Sequence, residues 1–169
     1  MKQIKWFDRK FEFSSEQNIF PSIIERLECA PANLRHLIDQ ISAEKLITKI
    51  DEKWSIQENV GHLIDLEPLW QGRLEGILNH KEFLRPTDLE NKKTDLARHN
   101  EKDINVLVAE FRNLREATIN ALKLLSEKEI NKFALHPRLK TPMRTIDLFF
   151  FVAEHDDHHF AQIGHLFSK

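Results

Sequence analysis

With 169 residues, the chain is long enough to bury a substantial core and most simply forms one domain, 1–169. Four Gly and six Pro against abundant Leu, Ile, Glu and Lys favour helices over short strands, and a formal charge of −2 offers no electrostatic footprint for nucleic acid. A single cysteine, Cys29, excludes an internal disulfide framework, and no stretch has the makeup of a signal peptide or the length of a membrane span, so a soluble, cytoplasmic protein is expected.

Residues 1 to about 14, with Trp6, Phe7, Phe11 and Phe13, read as an arm packed ahead of the first helix. That helix starts near Pro21, a favoured early position, and carries Ile23, Ile24 and Leu27. Ala30-Pro31 reads as a break or restart, after which Leu34, Ile38 and Ile41 continue the apolar stripe. A shorter turn over 43–47 leads into a loop at 51–53. Ser55-Ile56-Gln57-Glu58 then fits a capping box, in which serine and glutamate satisfy backbone N–H groups that a helix start leaves unpaired. Ile56, Val60, Leu63, Trp70, Leu74 and Ile77 recur at helical spacing. Pro68 is expected to kink this helix rather than end it, and Glu67 falls unusually inside its stripe.

Residues 79 to about 94 show no period and read as a long connection. The third helix is the most regular, with Ile104, Leu107, Phe111, Leu114, Thr118, Ala121 and Leu125 tracing a near-heptad seam. A short capped turn at 126–129 and a loop at 136–142 precede a last helix from about Thr145 to Phe167. Four long amphipathic helices with one long connection describe an all-α four-helix bundle with a crossover.

The last helix carries His155, Asp156, Asp157, His158 and His159. His155 and His159 are one turn apart, so both project from the face that also bears Leu148, Val152, Ile163 and Leu166. Two imidazoles directed into a core point to a metal ion. His158 is turned about 60° away around the helix and reads as a rim residue. His36, His80, His99 and His136 fall on polar faces or in loops and read as solvated, and His165 as a surface group.

A catalytic metal usually takes three protein ligands and leaves a position open. The third must come from a facing helix. His62, beside the stripe of the second helix, is the natural candidate, while Asp65 and Glu67 could serve as ligands or as acceptors for imidazole N–H groups. His155-Asp156-x-x-His159 has the spacing of a zinc-protease helix with aspartate in place of glutamate. The ten residues that follow leave no room for its usual downstream ligand, and no predicted strand supports a cleft. A di-iron bundle would need paired Glu-x-x-His motifs, which this sequence lacks.

Trp54-Ser55-x-x-Glu58-x-x-x-His62-Leu63, followed far downstream by His155-x-x-x-His159 and Gln162-Ile163, resembles the DinB/YfiT-like superfamily. The resemblance runs from about residue 21 to the C-terminus. It implies an up-down-down-up four-helix bundle and a three-histidine divalent metal site, falling here on His62, His155 and His159. It also implies nickel, zinc or iron as the metal, a pocket open to solvent, a small-molecule substrate and a homodimer. Its reactions would be metal-dependent hydrolysis or transfer to a low-molecular-weight thiol.

The residues agree with that chemistry. Three neutral imidazoles leave an ion its full charge, so water or a thiol entering beside it is acidified. Asp65, Glu67, Asp156 and Arg73 are candidate pocket groups, and Cys29 has no histidine partner that would make it a nucleophile. The competing expectation is a non-catalytic bundle whose metal is structural, closed by Asp65 or Glu67 as a fourth ligand. Neither nucleic acid nor membrane is expected as a partner.

Overall fold

The computed structural model describes residues 6–11 and 18–168. In chain order its regular elements are α1 (Phe20–Ile38), α2 (Ala43–Ile47), α3 (Ile56–Leu78), α4 (Lys92–Leu96), α5 (Ile104–Lys123), α6 (Glu127–Ile130), β1 (Phe133–Leu135), β2 (Pro142–Arg144) and α7 (Thr145–Phe167), with a 3-10 turn at His99–Glu101. None of these helices is long and apolar enough to cross a membrane.

The four long helices, α1, α3, α5 and α7, make the bundle. Both α1 and α3 pack against α5 and α7, which puts α1 and α3 on opposite corners. Asn59, early in α3, meets His159, late in α7, while Trp70 meets Phe151, so these helices are antiparallel. By contrast Glu67 meets Arg115 and Gln71 meets Thr118, so α3 and α5 run the same way. Glu28 pairs with Lys123 and Arg35 with Asn105, setting α1 against α5. The order is up-down-down-up, as the sequence resemblance implies. Parallel neighbours cannot be joined by a tight turn, so residues 79–103 return along the bundle and lay α4 and the 3-10 turn against α3.

Local signals account for most boundaries. Ser55 Oγ accepts from the Glu58 N–H at 3.1 Å and the Glu58 carboxylate accepts from the Ser55 N–H at 2.9 Å, the expected capping box. The last helix begins at Thr145, as read from sequence. Two expectations need correction. α1 runs unbroken through Pro31, which forfeits one backbone hydrogen bond, because Leu27, Ala30 and Leu34 on either side are all buried in the bundle. Strands flank the expected loop: β1 and β2 pair antiparallel, Ala134 opposite Met143. With three residues per strand and Pro142 beginning the second, there is too little alternation to read.

The apolar core divides in two. One cluster holds Phe20, Ile23 and Leu27 of α1 with Trp70, Leu74, Ile119, Leu122, Phe149 and Val152. The other holds Leu34 and Ile38 with Val60, Leu63, Leu107, Phe111, Ile163 and Leu166. Between them, at the middle of each long helix but α1, lie buried polar residues: His62 and Glu67, Arg115 and Thr118, His155, Asp156 and His159. A buried Leu or Phe contributes roughly 1.5–3 kcal/mol, and buried ion pairs rarely improve on apolar replacements. Stability alone therefore does not explain this polar layer.

Candidate metal centre

Every residue from Ser55 to Ile64 is buried, on all sides of α3, because α2 and the crossover cover the flank that the bundle leaves open. Several of these residues are polar, and each finds a partner. Gln57 donates to the carbonyls of His99 and Lys102 at 2.6 and 2.7 Å. Glu58 caps the helix and pairs with Lys49 at 2.8 Å. Asn59 donates from Nδ2 to the Ser55 carbonyl at 2.8 Å, which turns its Oδ1 toward α7.

The three histidines singled out from sequence come together. One ring nitrogen from each of His62, His155 and His159 lies within 4.8 Å of the others, and all three residues are buried. The Nε2 atoms of His155 and His159 are 3.3 Å apart. Zinc–nitrogen bonds of about 2.0–2.1 Å at tetrahedral angles would separate two ligand nitrogens by about 3.3 Å.

Hydrogen bonding fixes two of the tautomers. His159 Nδ1 is 2.8 Å from Asn59 Oδ1, an acceptor only, so Nδ1 carries the proton and Nε2 is a bare lone pair. On the other side of the site, Thr94 Oγ1 donates its one proton to Asp65 Oδ2 at 3.0 Å. It must therefore accept from His62 Nδ1, 3.1 Å away, which leaves His62 Nε2 bare as well. His155 Nδ1 is buried and has no hydrogen-bond partner among the described residues. Three imidazoles with two unprotonated inner nitrogens are the donor set a borderline divalent ion takes.

Burial pushes the His62 imidazole down to about 4, against the smaller opposing pull of Asp65. Burial, reinforced by the neighbouring imidazoles, holds His155 and His159 well below the ordinary histidine value. Neutral rings are the ligating form. Burial would raise the Asp65 carboxyl, but hydrogen bonds from His99 and Thr94 outweigh it and hold the group below its ordinary value.

Aromatic rings wall the cluster. Trp54 lies 4.6 Å from the His62 ring, Trp70 5.9 Å from His155, and Trp6 5.1 Å from His155 and 5.2 Å from His158. Trp6 and Phe11 of the expected arm pack on Phe151, and Arg9 pairs with Glu154; Phe13 lies outside the described residues. A cleft of about 390 Å³ opens beside the site, lined among others by Trp54, Asn59, His158, His159 and Gln162. His158 is half-buried at this cleft, the rim position read from sequence.

The carboxylates named from sequence are engaged elsewhere. Glu67 takes a two-point ion pair from Arg115, with Nε and Nη2 each 3.0 Å from its oxygens, and a 2.6 Å hydrogen bond from Thr118. Asp156 completes this buried triad through Arg115, and burial pushes its carboxyl up despite that cation. Arg73 donates to the Arg85 carbonyl at 2.9 Å, away from the histidines. Asp65 faces His99, Thr94 and Lys93.

His99 corrects the sequence reading. Rather than solvated, it is 2% exposed, and its Nε2 donates to Asp65 Oδ2 at 2.8 Å. It sits where a long aperiodic segment gave no face to read. Gly61 supplied a signal: a Cβ there would stand 2.2 Å from the His99 ring. Arg115 also escaped notice, although it falls in the stripe of Val108, Phe111, Thr118 and Leu122 on α5, opposite the anomalous Glu67.

Known proteins share this architecture. YfiT from Bacillus subtilis, described as a probable metal-dependent hydrolase with an unusual four-helix bundle topology, matches with a TM-score of 0.80 at 24% identity, covering 94% of this chain and 90% of YfiT. A mycothiol-dependent maleylpyruvate isomerase matches with a TM-score of 0.69 at 9% identity, over 86% of this chain and 60% of the isomerase. The colibactin self-resistance protein ClbS, in complex with dsDNA, matches with a TM-score of 0.67 at 13% identity, over 87% of this chain and 94% of ClbS. No curated protein matches the sequence significantly. At these identities the likenesses concern the fold.

The ClbS complex corrects the exclusion of nucleic acid drawn from charge. A chain of this fold is seen with dsDNA, and phosphate contact depends on the local arrangement of cations rather than on a net −2 summed over the whole chain. The DinB superfamily profile matches residues 26–163, most of the sequence and all three clustered histidines. The chain belongs to the DinB superfamily.

Proposed function

We propose that this protein is a divalent-metal-dependent enzyme, with His62, His155 and His159 as the ligands of nickel, zinc or iron. The observation that carries the reading is the anchoring of His159 by Asn59 and of His62 by Thr94, which leaves Nε2 of both rings unprotonated in one buried cluster. The competing structural-metal reading requires a fourth protein ligand. Its candidates, Asp65 and Glu67, are turned to His99 and Arg115 instead. An open position beside a cleft is the arrangement of a catalytic site.

When bound, the ion supplies Lewis acidity toward an oxygen or sulfur donor in that position. The protein's part is to hold and to shield. Asn59 and Thr94 fix ring orientations, so little reorganisation accompanies binding. Trp54, Trp6 and Trp70 exclude water from the outer sides of the rings. The cleft of about 390 Å³ suits a small organic molecule approaching past His158 and Gln162. Two reactions fit this frame: hydrolysis, and transfer involving a low-molecular-weight thiol. The likeness to YfiT supports the first and the likeness to a mycothiol-dependent isomerase supports the second.

The test is a metal-loaded activity screen over hydrolysable esters, amides and electrophilic thiol acceptors, each with and without added thiols. Turnover that needs the ion and disappears in His159→Ala is the expected result. Turnover surviving that substitution would mean that the site is misplaced.

A further inference from the structure

The crossover between α3 and α5 does more than return the chain. Hydrogen bonds from two of its residues, Thr94 and His99, lead to one ligand of the proposed site, His62, directly or through Asp65. From α4, Thr94 presents the hydroxyl that accepts from His62 Nδ1 at 3.1 Å and donates to Asp65 Oδ2 at 3.0 Å. From the 3-10 turn, His99 donates to the same Asp65 oxygen at 2.8 Å. Asp65 is one turn beyond His62 on α3, and its Oδ2 is taken up by Thr94 and His99, while the His62 ring is hydrogen-bonded to Thr94. Thr94 bridges the two side chains.

We infer that Thr94, Asp65 and His99 form a positioning array for His62, making metal affinity depend on docking of the crossover segment; this rests on the three-histidine reading above. A threonine hydroxyl can rotate to donate or accept. An ionised Asp65, already accepting from His99, takes the hydroxyl proton and forces Thr94 to accept from His62. That fixes the tautomer with a bare Nε2. Without Asp65, Thr94 could donate to Nδ1 and leave the proton on Nε2, the form that cannot ligate.

Other contacts press the segment into place. Trp54 Nε1 donates to Asp95 at 2.8 Å, Ser55 Oγ to Asn100 at 2.7 Å, and Gln57 to two crossover carbonyls at 2.6 and 2.7 Å. The His99 ring lies so close over residue 61 that only glycine fits, a Cβ there standing 2.2 Å away. By reciprocity, an ion that favours the fixed His62 tautomer also favours the docked crossover.

The experiment uses full-length protein without a histidine tag. Zn²⁺ affinity is measured by competition with a chromogenic chelator for wild type, Thr94→Val, Thr94→Ser and Gly61→Ala. Amide hydrogen exchange over residues 92–101 is followed with and without Zn²⁺. Loss of such a partner typically costs about 10–100-fold in metal affinity. Thr94→Val should therefore weaken binding by at least about tenfold, Thr94→Ser should retain it, and Gly61→Ala should weaken it by displacing His99. Zn²⁺ should slow exchange over 92–101 in wild type and not in Thr94→Val. Wild-type binding matched by Thr94→Val within about twofold, with exchange unchanged by Zn²⁺, would overturn the inference while leaving the metal site intact. A wild type that takes up no ion would remove the site itself.

Discussion

Nε2 of His155 and Nε2 of His159 face each other at 3.3 Å, on adjacent turns of one helix. Because Asn59 holds the proton of His159 on Nδ1, the facing nitrogen of His159 has none. In a metal-free protein the contact is held by one proton, from His155. A divalent ion held as proposed would take the place of that proton, with His155, His159 and His62 as the residues offering it nitrogen donors.

The first prediction concerns acid. Burial pushes His62 down to about 4 and holds His155 and His159 well below the ordinary range. Unfolded histidine titrates near about 6.5, so as pH falls below that value the unfolded chain takes up protons that the native chain refuses. Metal-free protein should lose stability as pH falls from about 6.5 toward about 4, His62 alone accounting for roughly 3 kcal/mol. The depressed Asp65 carboxyl adds a loss in the same direction at lower pH, its contribution disappearing as pH falls through its folded value. Urea midpoints measured in a chelator across this range would show the slope. A flat profile would contradict the burial argument.

A second prediction addresses the Arg115 triad. Its side chain, 1% exposed, holds Glu67 and Asp156 together in the polar layer. Arg115→Met should destabilise the fold by about 3–5 kcal/mol, since two carboxylates lose their counter-charge. Replacing all three residues with apolar ones of similar size should recover most of that loss. Denaturant titration compares the two. A loss below about 1 kcal/mol in Arg115→Met would put the pair in the class of exposed salt bridges.

The sequence's three tryptophans, Trp6, Trp54 and Trp70, all border the histidine cluster. Intrinsic fluorescence should therefore report occupancy. Ni²⁺, with its unfilled d shell, should quench strongly and saturably, whereas d¹⁰ Zn²⁺ should shift the spectrum with little quenching. Trp54→Phe should diminish the Ni²⁺ response, because Trp54 is nearest to His62, with ring centres 4.6 Å apart. Quenching that never saturates, or that persists in His62→Ala, would assign the effect to ions elsewhere.

A fourth prediction isolates a cap. Ser55 Oγ accepts from the Glu58 N–H and donates to Asn100, joining the start of α3 to the crossover. Ser55→Ala should cost about 1 kcal/mol from the cap, with a further loss for the Asn100 partner it strands. Thermal melting against wild type measures this, and an unchanged midpoint would deny the cap its role.

The long helices were legible because their apolar residues repeat at helical spacing, and Ser55 and Glu58 marked one start unambiguously. His155 and His159 declared themselves by sharing an apolar face. His62 had rivals in Asp65 and Glu67 that spacing could not remove; the family resemblance favoured it. What escaped was everything carried by segments without a period. Thr94 and His99 sit in a crossover whose residues are buried by docking onto α3, not by their own pattern. Asn59 is an ordinary polar residue until α7 arrives beside it. Arg115 escaped as well, although it lies in the stripe of a periodic helix; its partnership with Glu67 emerges only once α5 packs beside α3.

The central claim is that His62, His155 and His159 bind one divalent ion through an open, three-nitrogen site. Isothermal titration of untagged, chelator-stripped protein with Zn²⁺ tests it most directly, with His62→Ala, His155→Ala and His159→Ala alongside, each verified as folded by circular dichroism. One ion per chain, with binding lost or sharply weakened in every variant, is the predicted result. Absence of binding in wild type, or full affinity in any folded single variant, would contradict it.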